Sequence, residues 1–257
     1  MYKNLIQNKQ AALFDLDGTI VDSAPLWKES VKRVLKNFLN YEETFELMHG
    51  ASVYTNLSYL IQEYNLEIKQ SVNELVDLVH NEFINLMQET DLEPRDGFWE
   101  FTYELKKQKN LKLALTTNTK KSMAQAILSK LEISETFELY VFGDEVSKEK
   151  PDPEIYLKAS KALNVSPRQC IVFEDSVIGC KAAINAGMDV AVIWDGTEEK
   201  HEYPDDDKLI EFYPDFSVFV GNLDIDFKEL LTKSVDKYKN SPEYQAGTST
   251  GTSASTK

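Results

Sequence analysis

The stretch that most constrains the fold is a short apolar run that ends in two carboxylates. Residues 11–14 are all apolar, and Asp15, Asp17, Gly18 and Thr19 come directly after them. Because alternate residues of a strand share a face, a β-strand here places Asp15 and Asp17 on the same side. A divalent cation would relieve their repulsion and leave one oxygen free to attack an electrophile. Taken alone, these residues also fit an ordinary Asp-Gly turn after a buried strand.

Two later apolar runs end in polar groups in the same way. Residues 111–115 lead into Thr116-Thr117-Asn118-Thr119, and residues 170–173 lead into Glu174-Asp175-Ser176. Between the two runs, Lys150 precedes Pro151 just ahead of a helical pattern. Ligands of open α/β sheets bind outside the carboxyl ends of the strands, so all these groups are predicted to meet in one cleft.

The order of the apolar patterns predicts an α/β fold: a doubly wound parallel sheet of Rossmann-like type, with a small all-helical cap domain inserted after strand 1. Helices are predicted at about 25–38, 42–48, 53–64, 71–88, 98–109, 122–131, 154–163 and 179–186, and strands at 11–14, 111–116, 139–142, 171–173, 190–194 and 216–220.

These patterns also predict the domain boundaries. The core domain comprises residues 1–21 and 94–232, and the cap comprises residues 22–93, with hinges near 22–24 and 93–96. Residues 233–257 form a C-terminal segment whose end is rich in Gly, Ser and Thr. That end has too few apolar residues to offset its ordering entropy, so a flexible tail is expected.

Charge and composition exclude several classes of protein. The formal net charge of −15 argues against a nucleic-acid partner, because no basic patch is available to neutralise phosphates. No apolar segment approaches the length of a membrane span, and the N-terminus lacks the pattern of a secretory signal. Cys170 and Cys180 have neither metal-ligand nor redox spacing, so they are predicted to be small buried hydrophobes. We therefore expect a cytoplasmic protein without a membrane partner, and a monomer rather than an obligate oligomer.

Taken in order, the motifs resemble those of the haloacid dehalogenase superfamily of phosphotransferases, in the branch with a helical cap after the first strand. The matching segments are Asp15-x-Asp17-Gly18-Thr19, Thr117-Asn118, Lys150-Pro151, and Glu174-Asp175-Ser176 followed by Gly179. That branch includes β-phosphoglucomutase and many small sugar-phosphate phosphatases. The resemblance therefore implies an enzyme that acts on a small phosphorylated metabolite.

The resemblance also implies a role for each motif residue. Asp15 would be the nucleophile that takes the phosphoryl group as an aspartyl-phosphate, and Asp17 would be the general acid and base. Thr117, Asn118 and Lys150 would bind the transferring phosphate. Mg²⁺ is the implied cofactor, and it would bridge the nucleophile and a phosphoryl oxygen. Its implied ligands are Asp15, the backbone carbonyl of Asp17, Asp175 and Glu174.

Three of these assignments have an alternative, either another residue or another role. Thr116 precedes Thr117 and could supply the hydroxyl in its place. Lys148 competes with Lys150, which is preferred because Pro151 follows it in the matching pattern. Glu174 either ligates the metal directly or has a supporting or structural role near the ligands. The choice is open because adjacent residues of a strand point to opposite faces, so Glu174 and Asp175 can both reach the ion only if the strand has ended there.

Segment 49–56 of the predicted cap is expected to overlook the site. His49 is the predicted substrate contact, and Ser52 and Tyr54 are further candidates. A lone histidine at a helix end is also commonly a surface or capping residue. Closure of the cap would exclude water and select the leaving group.

The motifs leave open whether the phosphoryl group passes to water or to a second sugar hydroxyl. Trp27 and Val53 stand where the mutase has a histidine and an arginine for the distal phosphate, and Thr19 is typical of the phosphatases. Hydrolysis is therefore the expected reaction, and isomerisation of the β-phosphoglucomutase type is the alternative. A binding or regulatory protein on the same fold would be indicated by a missing catalytic residue, and none is missing.

Overall fold

A six-stranded parallel sheet forms the centre of the molecule. The structure is a computed structural model that describes residues 2–38, 45–107 and 111–220. The strands are β1 (Ala11–Phe14), β2 (Lys112–Thr116), β3 (Leu139–Val141), β4 (Cys170–Glu174), β5 (Asp189–Ile193) and β6 (Leu209–Tyr213). Their order is β3-β2-β1-β4-β5-β6, and every neighbouring pair is parallel. The predicted α/β fold is confirmed.

Helices connect the strands and cover both faces of the sheet. They are α1 (Tyr2–Leu5), α2 (Ala24–Leu35), α3 (Val53–Glu63), α4 (Val72–Glu89), α5 (Phe98–Lys106), α6 (Lys121–Lys130), α7 (Glu154–Leu163), α8 (Val177–Asn185) and α9 (Ser217–Val220). Alternate strand residues enter two separate cores, as a period of two requires. Phe14 stacks on Phe173 in one core, and Leu13 and Val172 pack with Tyr156 in the other.

The register of the three central strands positions the site. Strand β1 lies between β2 and β4, and Phe14 aligns with Leu115 on one side and with Phe173 on the other. The Asp15 N–H continues this ladder by donating to the Phe173 carbonyl at 3.0 Å. Asp15 and Glu174 therefore emerge side by side at the carboxyl edge of the sheet.

Helices α2, α3 and α4 lie between β1 and α5 in the chain. Helix α4 packs against both α2 and α3, and Trp27 of α2 stacks on Phe83 of α4 with ring centroids 3.8 Å apart. The segments that enter and leave this insertion run side by side, since Val21 forms an antiparallel bridge with Pro94. All described residues belong to one compact unit, Met1–Gly221, so the division into core and cap stays a prediction.

Two predicted elements are wrong. The strand predicted at 216–220 is instead the helix α9, because Phe216 and Phe219, three residues apart, are both buried beside Phe101 of α5. A short apolar run does not by itself distinguish a strand from a helix. The helix predicted at 42–48 fails for its described part, since residues 45–48 have no regular structure. Residues 42–44 lie outside the described residues, as do 108–109 at the end of the predicted fifth helix.

Helix α1 and strand β6 have no counterpart among the predictions. Helix α1 is a single turn, and β6 is an edge strand on which Ile210 is exposed, so neither has a strong apolar period. No helix within the described ranges is long and apolar enough to cross a membrane. Cys170 and Cys180 are free thiols and are buried as predicted. The predicted C-terminal segment, residues 233–257, lies outside the part of the chain that the structure describes.

Candidate active site

A buried lysine joins the ends of the three central strands. Lys150 is 2% exposed, and its Nζ donates to Asp15 Oδ1 at 2.5 Å, to Glu174 Oε1 at 2.7 Å and to the Thr116 carbonyl at 3.1 Å. The competing Lys148 has a side chain that is 71% exposed and lies 3.4 Å from Asp152. The structure therefore brings Lys150, and not Lys148, to Asp15.

Both oxygens of Glu174 are engaged by donors of the protein. Oε1 accepts from Lys150 Nζ and from the Tyr156 hydroxyl at 2.9 Å. Oε2 accepts from the Asp175 N–H, the Ser176 N–H and the Ser176 hydroxyl at 3.0–3.1 Å. Gly179 leaves room for this carboxylate, since a Cβ there would lie 1.9 Å from Oε1. These contacts fix Glu174 against Lys150.

Burial and charge set the protonation of this group. Burial raises the pKa of Asp15 well above its usual range; the carboxylates of Glu174 and Asp175 add to this, and Lys150 opposes it. The pKa of Glu174 is lowered, because Lys150 and the other donors outweigh its burial. The pKa of Lys150 is raised, since Asp15 and Glu174 outweigh the effect of burial. The Lys150 ammonium thus faces two carboxylates, and the carboxylate of Asp175 lies near both of them.

Three buried carboxylates could hold a metal ion. One ligand oxygen from each of Asp15, Glu174 and Asp175 lies within 4.8 Å of the others. Gly18 has a φ of 89°, and a Cβ there would lie 1.9 Å from Asp175 Oδ2, so only glycine lets this carboxylate approach. Clustered carboxylate oxygens are the ligands that hard divalent cations take, and a cation would offset the like charge that raises the pKa of Asp15. The donor set therefore fits a divalent metal.

Asp175 makes two further contacts. Its Oδ1 accepts from the Thr19 hydroxyl at 2.6 Å, and its Oδ2 lies in hydrogen-bond contact with His49 Nε2. Burial lowers the pKa of His49, but the Asp175 carboxylate outweighs it and raises that pKa to about 9. His49, predicted as a substrate contact, is thus placed against a candidate metal ligand.

Asp17 is held by three donors. Its Oδ1 accepts from the Ser23 hydroxyl at 2.5 Å and from the Trp27 indole N–H at 2.8 Å, and its Oδ2 accepts from the Thr119 hydroxyl at 2.7 Å. Ser23 directly precedes α2 and Trp27 lies on it, whereas Thr119 follows β2. The carboxylate is therefore fixed from the inserted helices and from the sheet together.

Thr117 and Asn118 follow β2 and have different surroundings. Thr117 is 2% exposed, and its hydroxyl oxygen accepts the Thr119 N–H at 3.0 Å. Asn118 donates from Nδ2 to the Gly50 carbonyl at 2.9 Å and accepts the Lys150 N–H at Oδ1 at 3.1 Å. Asn118 thus ties the Lys150 loop to segment 49–56. The competitor Thr116 points its hydroxyl to the Phe14 carbonyl at 3.4 Å.

A cavity of about 460 Å³ opens beside these groups. Asp15, Asp17 and Thr117 line it from the sheet, and Trp27 and His49 line it from the insertion. The candidates Ser52 and Tyr54 do not line it: they border a separate cavity of about 270 Å³. Ser52 instead caps α3 and donates its N–H to Glu149 at 3.2 Å.

Several residues that contact the site have no individual role in it predicted from the sequence. They are Thr19, Ser23, Trp27, Thr119, Tyr156 and Ser176. Thr119 and Ser176 belong to the polar runs that end β2 and β4, so the strand-end rule places them in the cleft without giving either one a role. Tyr156 lies inside a helix whose apolar period only indicates burial, and no sequence signal distinguishes its role.

Comparison with known proteins agrees with this geometry. Residues 12–193 match the family described as haloacid dehalogenase-like hydrolase. Over 182 residues the chain is 37% identical to a phosphorylated carbohydrates phosphatase of Thermotoga maritima, which covers 70% of this chain and 82% of that protein. Over 189 residues it is 31% identical to a β-phosphoglucomutase of Bacillus subtilis, covering 70% and 80% respectively.

Solved structures share the fold. The crystal structure of CbbY from Rhodobacter sphaeroides in complex with phosphate has a TM-score of 0.70 and 23% identity, and the match covers 83% of this chain and 97% of that one. This likeness shows the fold alone. Together with the family match over most of the chain, it confirms the resemblance found in the motifs: the protein belongs to the haloacid dehalogenase-like hydrolase family.

Proposed function

We propose that the protein is a Mg²⁺-dependent phosphatase that hydrolyses a small phosphorylated metabolite. The observation that carries this proposal is the contact of Lys150 Nζ with Asp15 Oδ1 at 2.5 Å, in a cleft that also holds Asp17, Thr117 and Asp175. A buried ammonium beside a carboxylate is suited to offset the charge of a phosphoryl group that arrives at that carboxylate.

In the first step, a carboxylate oxygen of Asp15 attacks phosphorus and the bond from phosphorus to the leaving oxygen breaks. Asp17 gives its proton to that oxygen, which leaves as an alcohol. In the second step, Asp17 takes a proton from water as the water attacks the aspartyl-phosphate, and inorganic phosphate and free Asp15 result. Lys150 and the Thr117 hydroxyl hold the phosphoryl oxygens in both steps.

Asp15, Asp175 and the backbone carbonyl of Asp17 would hold Mg²⁺. When bound, the ion supplies positive charge that keeps Asp15 ionised and neutralises the phosphoryl group. Glu174 is assigned here to holding Lys150, because both its oxygens already accept from protein donors. Asn118 acts by fixing the Lys150 loop.

A sugar or polyol phosphate is the proposed substrate class. The relative from Thermotoga maritima is a phosphorylated carbohydrates phosphatase, and a cavity of about 460 Å³ is large enough for a compact alcohol. Isomerisation is the second candidate, favoured by the relative from Bacillus subtilis. Hydrolysis is preferred because isomerisation needs a cation for the distal phosphate, and Val53 lines the cavity where the mutase has an arginine. Of the cations that line the cavity, Lys28 is paired with Glu46 at 2.6 Å and His49 is in contact with Asp175. The two buried free thiols support the cytosol as the compartment.

The test is release of inorganic phosphate from p-nitrophenyl phosphate and from a panel of sugar and polyol phosphates, with Mg²⁺ and after chelation. The Asp15→Asn variant is expected to lose at least about 10⁴-fold in kcat, because it removes the nucleophile. Asp91→Asn, at an exposed acid away from the cavity, serves as the matched control. Equal turnover by Asp15→Asn and the control would overturn the proposal.

A second assay separates the two reactions. The protein is incubated with β-glucose 1-phosphate and a sugar bisphosphate primer, and both products are followed. Free phosphate supports hydrolysis, whereas glucose 6-phosphate formed without phosphate release supports the isomerase.

A further inference from the structure

We propose that Trp27 is a positioning residue for Asp17: its indole N–H holds the carboxyl group in the orientation from which it gives a proton to the leaving group. The inference rests on the proposed function, since it assumes that Asp17 is the general acid. It adds a residue outside the four sequence motifs, and it ties proton delivery to the first inserted helix.

The geometry supplies the hydrogen bond. Trp27 Nε1 donates to Asp17 Oδ1 at 2.8 Å, and the ring is 8% exposed. The indole is fixed independently of this bond, because it stacks on Phe83 with centroids 3.8 Å apart and planes inclined by 22°. Packing alone therefore holds the N–H at the carboxylate.

The chemistry of the three donors separates the two oxygens. The hydroxyls of Ser23 and Thr119 can donate or accept a hydrogen bond, whereas an indole N–H can only donate. Oδ1 accepts from Trp27 and from Ser23, whereas Oδ2 has a contact only with the Thr119 hydroxyl, 2.7 Å away. Of the three contacts, the one from Trp27 is the one that cannot reverse its direction, so it fixes the orientation of the carboxyl group.

This arrangement acts in the step that breaks the ester bond. The bond from phosphorus to the leaving oxygen breaks, its electron pair stays on that oxygen, and the proton of Asp17 moves to it. Without the N–H, the Asp17 carboxyl group could rotate, and the fraction of molecules oriented for proton transfer would fall. An alkyl leaving group depends on this proton, whereas an aryl oxide leaves readily without it.

The test compares two leaving groups in the Trp27→Phe variant, which keeps an aromatic ring on Phe83 and removes the N–H. For a sugar phosphate we expect kcat to fall about 10- to 100-fold, the range expected when a hydrogen bond to a charged group is lost. For p-nitrophenyl phosphate the expected fall is about threefold or less. KM for both substrates should change less than kcat, because Trp27 acts through Asp17.

Two further proteins make the experiment decisive. Benzothienylalanine, introduced at position 27 by amber suppression, replaces the N–H by sulfur in a ring of nearly the same shape, and it should reproduce the split. Trp99→Phe, at a tryptophan of α5 that lies outside both cavities, is the matched control and should keep wild-type kinetics. Near-ultraviolet circular dichroism of each protein checks that the fold is retained.

The outcomes are distinguishable. A selective loss on the sugar phosphate in both Trp27 replacements supports the inference. Equal losses on both substrates, or none on the sugar phosphate, overturn it while the phosphatase assignment stands. If the wild-type protein turns over no phosphate ester with Mg²⁺, the proposed function fails and this inference fails with it.

Discussion

The two carboxylates of the first motif lie only two residues apart, yet they are held in opposite ways. Asp15 is fixed by Lys150, which lies in the loop between β3 and α7 and is itself held by Glu174 at the end of β4. Asp17 is fixed in large part by Ser23 and by Trp27 of α2. The proposed nucleophile thus takes its side-chain hydrogen bond from Lys150, outside the insertion, whereas the proposed acid accepts hydrogen bonds from the insertion directly.

The insertion also contacts residues on the Asp15 side of the site. Asp175 meets His49, and Asn118 meets the Gly50 carbonyl, so the insertion reaches the site through segment 49–56. In the proposed mechanism, phosphoryl transfer to Asp15 and proton delivery by Asp17 use different contacts, Lys150 for one and Trp27 for the other, so the two steps can be tested separately. The following changes test that separation, from the largest expected effect to the smallest.

Lys150→Met tests the sheet side. It leaves Asp15 and Glu174 buried without their cation, and we expect about 3–5 kcal/mol lower free energy of unfolding at pH 7. A carboxyl whose folded pKa is raised binds more protons when folded, so the penalty applies above that pKa and fades as pH falls. Urea unfolding at pH 7 and pH 5 measures this, with the exposed Lys148→Met as control. An unchanged stability at pH 7 would contradict the account of the buried cluster.

His49→Ala tests the insertion side. Because the His49 ring contacts Asp175, a metal must compete with it, and its removal is expected to tighten Mn²⁺ binding about fivefold. Mn²⁺ titration followed by electron paramagnetic resonance measures the affinity, and the exposed His201→Ala is the control. A raised KM with unchanged Mn²⁺ affinity would instead place His49 on the substrate.

His80→Gln tests whether the insertion has its own response to pH. Burial lowers the pKa of His80 to about 4, with Lys120 adding to the effect and Asp77 opposing it. The folded state then binds fewer protons than the unfolded state, so stability is fully present above about pH 6.5 and declines as pH falls towards 4.

The expected decline is about 1 kcal/mol, since partial exposure screens the charge. It is measured as the difference in urea midpoint between wild type and His80→Gln, taken at pH 7.5 and at pH 4.5. A difference that does not change with pH would show that the pKa of His80 is the same in the folded and unfolded protein, and would contradict this prediction.

The fold and the sheet side of the site follow from the sequence to a large extent. Apolar runs that end in polar groups are local signals, and parallel pairing brings their ends to one edge, so Asp15, Lys150 and Asp175 could be placed together. The helix within residues 216–220 could not be predicted, because a mostly apolar segment of five residues fits the period of a strand as well as that of a helix. The contact of Trp27 with Asp17 could not be predicted either. No periodicity shows that an indole on a helix face donates to a carboxylate ten residues earlier in the chain.

Gly179 has a consequence for engineering this chain. It lies inside α8, where replacing glycine by alanine ordinarily stabilises a helix by up to about 1 kcal/mol. Here the added methyl carbon would occupy the space of the Glu174 carboxylate and displace the anchor of Lys150. A programme that replaces helical glycines to raise thermal stability would therefore lower turnover at this position, and Gly179 should be left unchanged.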